Sequence, residues 1–323
     1  MSIKRVLINL AFVLCLMLAA FLLYRVFSRY TLSDVLDSIR TIPGVRILAG
    51  LGFAAASYLC LTGFDWLALR YAGKPQSYPR AALASFTSLS IGHNLGLAAL
   101  SSGAVRYRFY SRWGLNAEEV AKVILFCGVT VGIGLSTLAG IALLINPQDA
   151  ANLLKLGPAS LFALGCICVC VPAVYVVLSA TVRAPLHLWK WSFEMPSLKL
   201  ALGQVVIGTV NFIFVAACLH QMLAAQGQAS YVQTATAYVL ANIAVLVTHV
   251  PGGLGVIEAT VSYVLPGAAS IGSLVAFRVI YFLVPLLIGL PTFAISEFVI
   301  AKPKPPPSED RPQQPAQAHT QLL

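Results

Sequence analysis

Apolar residues fill long blocks along this chain, and Arg, Lys, Gly and Pro gather in the short stretches between them. Six blocks, at residues 6–24, 46–70, 118–145, 158–180, 200–224 and 270–300, are each long enough to cross a bilayer as a helix, which takes about 20 residues. Two further apolar runs are interrupted. Residues 81–105, AALASFTSLSIGHNLGLAALSSGAV, carry His93 and Asn94 at their middle and end in SSG. Residues 231–265 carry Asn242 and His249 and are split by PGGLG. Pro and Gly end helices, so these runs predict broken hairpins instead of simple spans. Residues 31–42 place Leu32, Val35, Leu36, Ile39 and Ile42 on one face, with Thr31 and Asp34 as a capping pair, which predicts a short interfacial helix. In the 118–145 block, Gly128, Gly132, Ser136 and Gly140 recur every fourth residue, a stripe suited to close helix packing.

Composition fixes the solvent. Of 323 residues, 59% are apolar and 10% charged, with mean hydropathy +0.84, whereas a soluble domain carries about a quarter charged residues. The pattern is that of an all-α polytopic membrane protein. The first block follows Lys4 and Arg5 and exceeds a secretory signal core, so it reads as an uncleaved span. Residues 1–301 form one transmembrane domain, and 302–323, rich in Pro and Gln, read as a disordered cytoplasmic tail. All seven cysteines lie in apolar runs and pack as small hydrophobes, and the spacing of Cys166, Cys168 and Cys170 is not that of a metal site. No cofactor, metal or hydrolytic motif is expected. The AGKP stretch at 72–75 is no phosphate loop, because Ala68 stands where its first glycine belongs.

The net charge of +10 comes from short clusters at block ends, the pattern of loops facing an anionic leaflet and not of nucleic-acid binding. If both interrupted runs are re-entrant, the chain has six full spans with both termini cytoplasmic, and most basic residues, Arg106, Arg108, Arg112 and Lys122 among them, fall on the cytoplasmic side. Counting both runs as full spans moves that cluster outside, against the positive-inside rule. Arg25, Arg29, Arg40 and Arg46 stay outside in either case.

Broken elements entering from opposite faces characterise inverted-repeat transporters, whose binding sites lie where the elements meet. A helix restarting after PGG, and another after SSG, would direct unpaired N–H groups and the positive end of a helix dipole at one cavity, which suits an anion such as phosphate. An ordinary loop at PGG is the alternative. Glu258 follows the break closely, and Arg278 lies inside the last block and needs either Glu258 or a lipid phosphate as partner. Arg106 and Arg108 follow the first break and are placed to clamp phosphate, or to serve as ordinary positive-inside residues. Gly252 and Gly253 let backbone approach a headgroup, and Asn94 and Asn242 either line the cavity or bond between helices. His93 and His249 read as satisfied core histidines.

The segments GHNLGLAALSSGAVRYRFYSRWGL at 92–115 and HVPGGLGVIEA at 249–259, with Asp65 near the end of the second block, resemble the membrane domain of the lysylphosphatidylglycerol synthase and flippase family, in particular its stand-alone inner-membrane members. The resemblance spans nearly the whole chain except the tail. It implies a bacterial inner-membrane protein handling an anionic phospholipid or lipid-linked substrate, and it alone raises Asp65, which otherwise reads as solvated near an interface. Bifunctional members carry a soluble catalytic domain after the membrane region, whereas this sequence continues into the short tail, so aminoacyl transfer is not expected and the chain reads as no enzyme. SSGAVR also departs from the proline-containing loop of those members, which puts their substrate in doubt. The other reading is a non-transporting subunit that binds lipid or scaffolds a lipid-modifying enzyme.

Overall fold

The chain is described by a computed structural model over residues 33, 40–95, 98–145, 147, 151, 156–182, 186–188, 191–225, 227–248 and 250–299. The first apolar block, most of the 31–42 segment, His249 and the tail lie outside the described residues. Among the described residues ten helices follow in order: α1 (Gly44–Tyr71), α2 (Tyr78–Leu95), α3 (Ala98–Arg112), α4 (Ala117–Ile145), α5 (Pro158–Thr181), α6 (Leu198–Leu223), α7 (Tyr231–Thr248), α8 (Val256–Val264), α9 (Ile271–Arg278) and α10 (Val284–Val299). A π-turn, Val279–Leu283, joins α9 to α10 into one long span, and a short antiparallel ribbon, Leu186–Leu188 with Trp191–Phe193, sits between α5 and α6.

Helix starts follow local chemistry. Asn116 and Glu119 cap each other's backbone N–H ahead of α4, and Ser230 and Gln233 do the same for α7, a reciprocal arrangement that satisfies two orphan donors. Pro158 opens α5, where a missing N–H costs nothing. The helices α1, α4, α5, α6, α7 and the joined α9–α10 are long and apolar enough to cross a membrane. The molecule is thus a multi-pass, all-helical membrane protein.

Length alone would make α7 a span, but its surroundings turn it back. Gly227, just before α7, lies so close to Ala268, just after α8, that a Cβ on it would sit 2.5 Å from the Ala268 Cα. The chain therefore leaves and returns at one place, with α8 packed along α7. The α2–α3 pair behaves alike: Gly92 packs on Ser102 near its tip, and the Arg80 guanidinium lies 5.8 Å from the Trp113 ring at its open end. These two open ends are at opposite ends of the bundle. Lys74 pairs with Glu119 and Arg112 with Glu297 beside the first, while Arg46 donates to Gln221 near the second. The described residues thus form full spans interleaved with two re-entrant hairpins, and the span expected at 6–24 lies outside them.

Close backbone contact locks α4 to α6. A Cβ on Gly134 would lie 2.4 Å from the Gly208 carbonyl carbon. Only part of the predicted stripe is used, and against α5: Ser136 donates to the Cys168 carbonyl and Gly140 faces Gly165, while a Cβ added to Gly128 or Gly132 would meet nothing within 4 Å. Gly134, which makes the tightest backbone approach, lies off that stripe.

Candidate functional site

The second hairpin turns through Pro251–Gly253, with Gly252, Gly253 and Gly255 all in the left-handed region (φ 61°, 58° and 82°). L-residues with a Cβ pay about 1–2 kcal/mol for that conformation, which is why three glycines cluster here. Gly255 starts α8, and its N–H donates to Glu258 Oε2 at 2.9 Å. The other oxygen, Oε1, receives Arg278 Nε at 2.6 Å, with Nη2 also 2.6 Å away. The same guanidinium donates from Nη1 to the Gly252 carbonyl (2.9 Å) and from Nη2 to the Gly253 carbonyl (3.3 Å), and its carbon lies 5.2 Å from the Phe282 ring centroid. Arg278 is only 4% exposed. It therefore braces the turn and neutralises Glu258, and most of its five N–H donors are already committed.

The first hairpin meets this turn head on. Gly252 faces the backbone oxygens of His93 and Asn94, and a Cβ on it would sit 3.2 Å from the Asn94 oxygen. Asn94 Nδ2 donates to the carbonyls of Ser90 (2.9 Å) and Phe282 (3.2 Å). So the structure brings Asn94, Gly252, Gly253, Glu258 and Arg278 together where the hairpin tips touch. Asn242 is not among them by contact; it donates to the Tyr238 carbonyl one turn back in its own helix.

Three sequence expectations change. The first break comes earlier than SSG: α2 ends at Leu95, α3 begins at Ala98, and Ser101–Gly103 are helical. Gly103 belongs inside the helix because Ile124 of α4 packs where its side chain would be. Asp65 is not solvated: it is fully buried and accepts from Arg106 Nε (2.9 Å) and Nη2 (2.8 Å) and from the Tyr110 hydroxyl. Arg106 spends a third group on Ser102 Oγ at 2.9 Å, so it ties α3 to α1 and does not present a guanidinium to a headgroup. Arg108 lies near the open end, where both it and Arg112 donate to Glu297.

Around the tips runs a polar network that sequence reading missed. Ser57 Oγ donates to Asn211 Oδ1 (2.7 Å) and contacts the Tyr281 hydroxyl (2.9 Å), and the Tyr58 hydroxyl reaches His93 Nδ1 and the Tyr281 carbonyl at 3.5 and 3.4 Å. A polar residue inside an apolar block was the available signal, since buried polar groups in a membrane protein need a partner. Chemically, two helix N-termini, of α3 and α8, begin at the tip contact, which favours negative charge there. An arriving anion would compete with Glu258 for Arg278.

Two bacterial proteins are similar over most of their length. The "Inner membrane protein YbhN" of Escherichia coli is 29% identical over 272 residues, covering 82% of this chain and 84% of that one. The "Uncharacterized protein slr0712" of Synechocystis is 30% identical over 261 residues, covering 80% of this chain and 81% of that one. The family model for the lysylphosphatidylglycerol synthase TM region matches residues 6–290, from the first apolar block through both hairpins and most of the last span, and the chain belongs to that family.

Proposed function

We propose that this is a bacterial inner-membrane protein, with both termini cytoplasmic, that binds an anionic phospholipid or lipid-linked anion and moves it between leaflets. The observation that carries the reading is the meeting, tip to tip, of two hairpins that enter from opposite ends of the bundle. Irregular backbone at membrane depth is tolerated where it is surrounded by protein or lines a cavity, and broken helices in transporters place their dipole ends at the cargo. The acyl chains would stay in the bilayer while the headgroup passes between the tips, which must part to let it through. Arg278 would exchange Glu258 and the turn carbonyls for the phosphate. No nucleotide site supplies energy in this reading; an ion gradient, a coupled protein or the lipid's own gradient drives it.

A second reading has its own support. Every guanidinium nitrogen of Arg106 and of Arg278 already donates to an internal partner, as in a static scaffold that binds lipid or holds a lipid-modifying enzyme. Reconstitution separates the two. Liposomes containing the purified protein and headgroup-labelled phosphatidylglycerol are treated with a membrane-impermeant quencher. Transport predicts that label in the inner leaflet becomes quenchable faster than in protein-free liposomes, and that Arg278→Gln abolishes the difference. Tight copurification of anionic lipid with no acceleration would replace transport by the scaffold reading.

A further inference from the structure

Both hairpin tips are attached to one widened turn of the last span. Arg278, the residue before the π-turn Val279–Leu283, holds the Gly252 and Gly253 carbonyls and Glu258 of the second hairpin. Two carbonyls within the turn are held by other elements: Phe282 accepts from Asn94 of the first hairpin, and Tyr281 from the Tyr58 hydroxyl of α1. The His93 and Tyr281 rings lie nearly parallel, 6.4 Å apart, and the Tyr281 hydroxyl contacts Ser57. A π-turn is an extra residue in the helical ladder; it is rare and survives where side chains satisfy the opened carbonyls. Here side-chain donors to its carbonyls come from the first hairpin and from α1, while the cation just before it, Arg278, is spent on the second hairpin.

We propose that Val279–Leu283 is a joint with two registers, and that Asn94 is a positioning residue that sets it. With Asn94 and Tyr58 bonded, the turn stays wide and Arg278 holds the second tip closed. When the first tip withdraws, the turn relaxes toward the α-helical register, and each residue of register rotates what lies beyond it by about 100°. That rotation carries Arg278 off the Gly252 and Gly253 carbonyls, so the opening of one hairpin unlatches the other. The inference rests on the reading that the tips part during lipid movement, but its test does not require lipid to move.

The test is the rate at which the thiol of a Leu254→Cys variant, in the second hairpin, reacts with a water-soluble reagent in the full-length protein in nanodiscs. Labelling is quantified at that position by mass spectrometry, so the native cysteines do not interfere. Asn94→Ala is expected to raise the rate by about fivefold or more, the low end of coupling between sites. Ser136→Ala, which removes a bond between α4 and α5, is expected to leave it unchanged. In the Arg278→Gln background the latch is already gone, so Asn94→Ala should add nothing. An unchanged rate in folded Asn94→Ala protein, or an effect of the same size with and without Arg278, overturns the proposal. If Asn94→Ala fails to fold, Tyr58→Phe, which removes one hydroxyl from the same turn, is read by the same two outcomes. A protein that passes this test yet moves no lipid would retain the joint and lose the transport reading.

Discussion

The latch at Arg278 gives the sharpest energetic prediction. Replacing Arg278 with Met keeps much of the volume but strips Glu258 of its counter-ion and leaves the Gly252 and Gly253 carbonyls without their donor. Breaking a buried ion pair from one side costs about 3–5 kcal/mol. The Glu258 side chain is 16% exposed and keeps its bond from the Gly255 N–H, which moderates the loss to about 4 kcal/mol even with the two carbonyls counted. Glu258→Gln leaves the cation with those carbonyls and an amide oxygen, and should cost about 3 kcal/mol. The double variant buries no unpaired charge, so it should cost about 4 kcal/mol and not the additive 7 or so, an interaction of about 3 kcal/mol. Equilibrium unfolding of the four proteins in mixed detergent micelles measures the cycle. Additivity within about 0.5 kcal/mol, or a cost below about 1 kcal/mol for Arg278→Met, would refute the latch.

Other expectations follow from single contacts. Asp65→Asn should destabilise by about 3–5 kcal/mol, since it leaves Arg106 charged in a fully buried site, while Arg108→Gln on the half-buried Glu297 cluster should cost about 1 kcal/mol or less; the same unfolding assay ranks them. Gly208→Leu should prevent folding, because the Gly134 and Thr130 backbones occupy the space its side chain needs; loss of the monodisperse peak on size exclusion is the readout. The thiol of Ser111→Cys should resist an impermeant reagent added outside intact cells, whereas that of Gln228→Cys, at an exposed position, should react. Reaction at 111 from outside would invert the orientation.

Much of the fold was legible because lipid imposes a simple rule: a segment that crosses must be apolar for about 20 residues. The blocks from 46–70 onward form helices with nearly the expected bounds. The loop charges also separated hairpins from spans, even though α7 by composition alone looks like a span. The first break was misplaced because serine and glycine suggest a turn locally, whereas Gly103 is helical for a tertiary reason, the approach of Ile124. The Asp65–Arg106 pair was invisible for a different reason. Its members are far apart in sequence, on α1 and α3, and no period or motif links them; Asp65 and Arg106 each stand out singly, and nothing in one dimension says that they neutralise each other.

The two buried ion pairs bear on how an anion would be handled. The returning arms carry parallel patterns, Gly103-Ala104-Val105-Arg106 and Gly255-Val256-Ile257-Glu258, each an ionisable residue three places after a glycine, with opposite sign. Each finds its counter-ion on a span flanking its own hairpin, Asp65 on α1 for Arg106 and Arg278 on α9 for Glu258. The ionisable residue on each returning arm is thus cancelled separately, and these four residues sum to zero wherever the tips stand. A phosphate arriving at the tips brings net negative charge into low dielectric, which must be offset by opening one pair or by taking up a cation. The two pairs are not equally able to open. Asp65 is fully buried and bonded by three side chains, Arg106, Tyr110 and Cys127, whereas Glu258 is partly exposed at the start of a helix whose dipole supports it when Arg278 leaves. Of the two ion pairs, Arg278–Glu258 is therefore the one that would open to an arriving anion, whereas Arg106–Asp65 would stay closed and keep the first hairpin tied to α1 even when its tip moves.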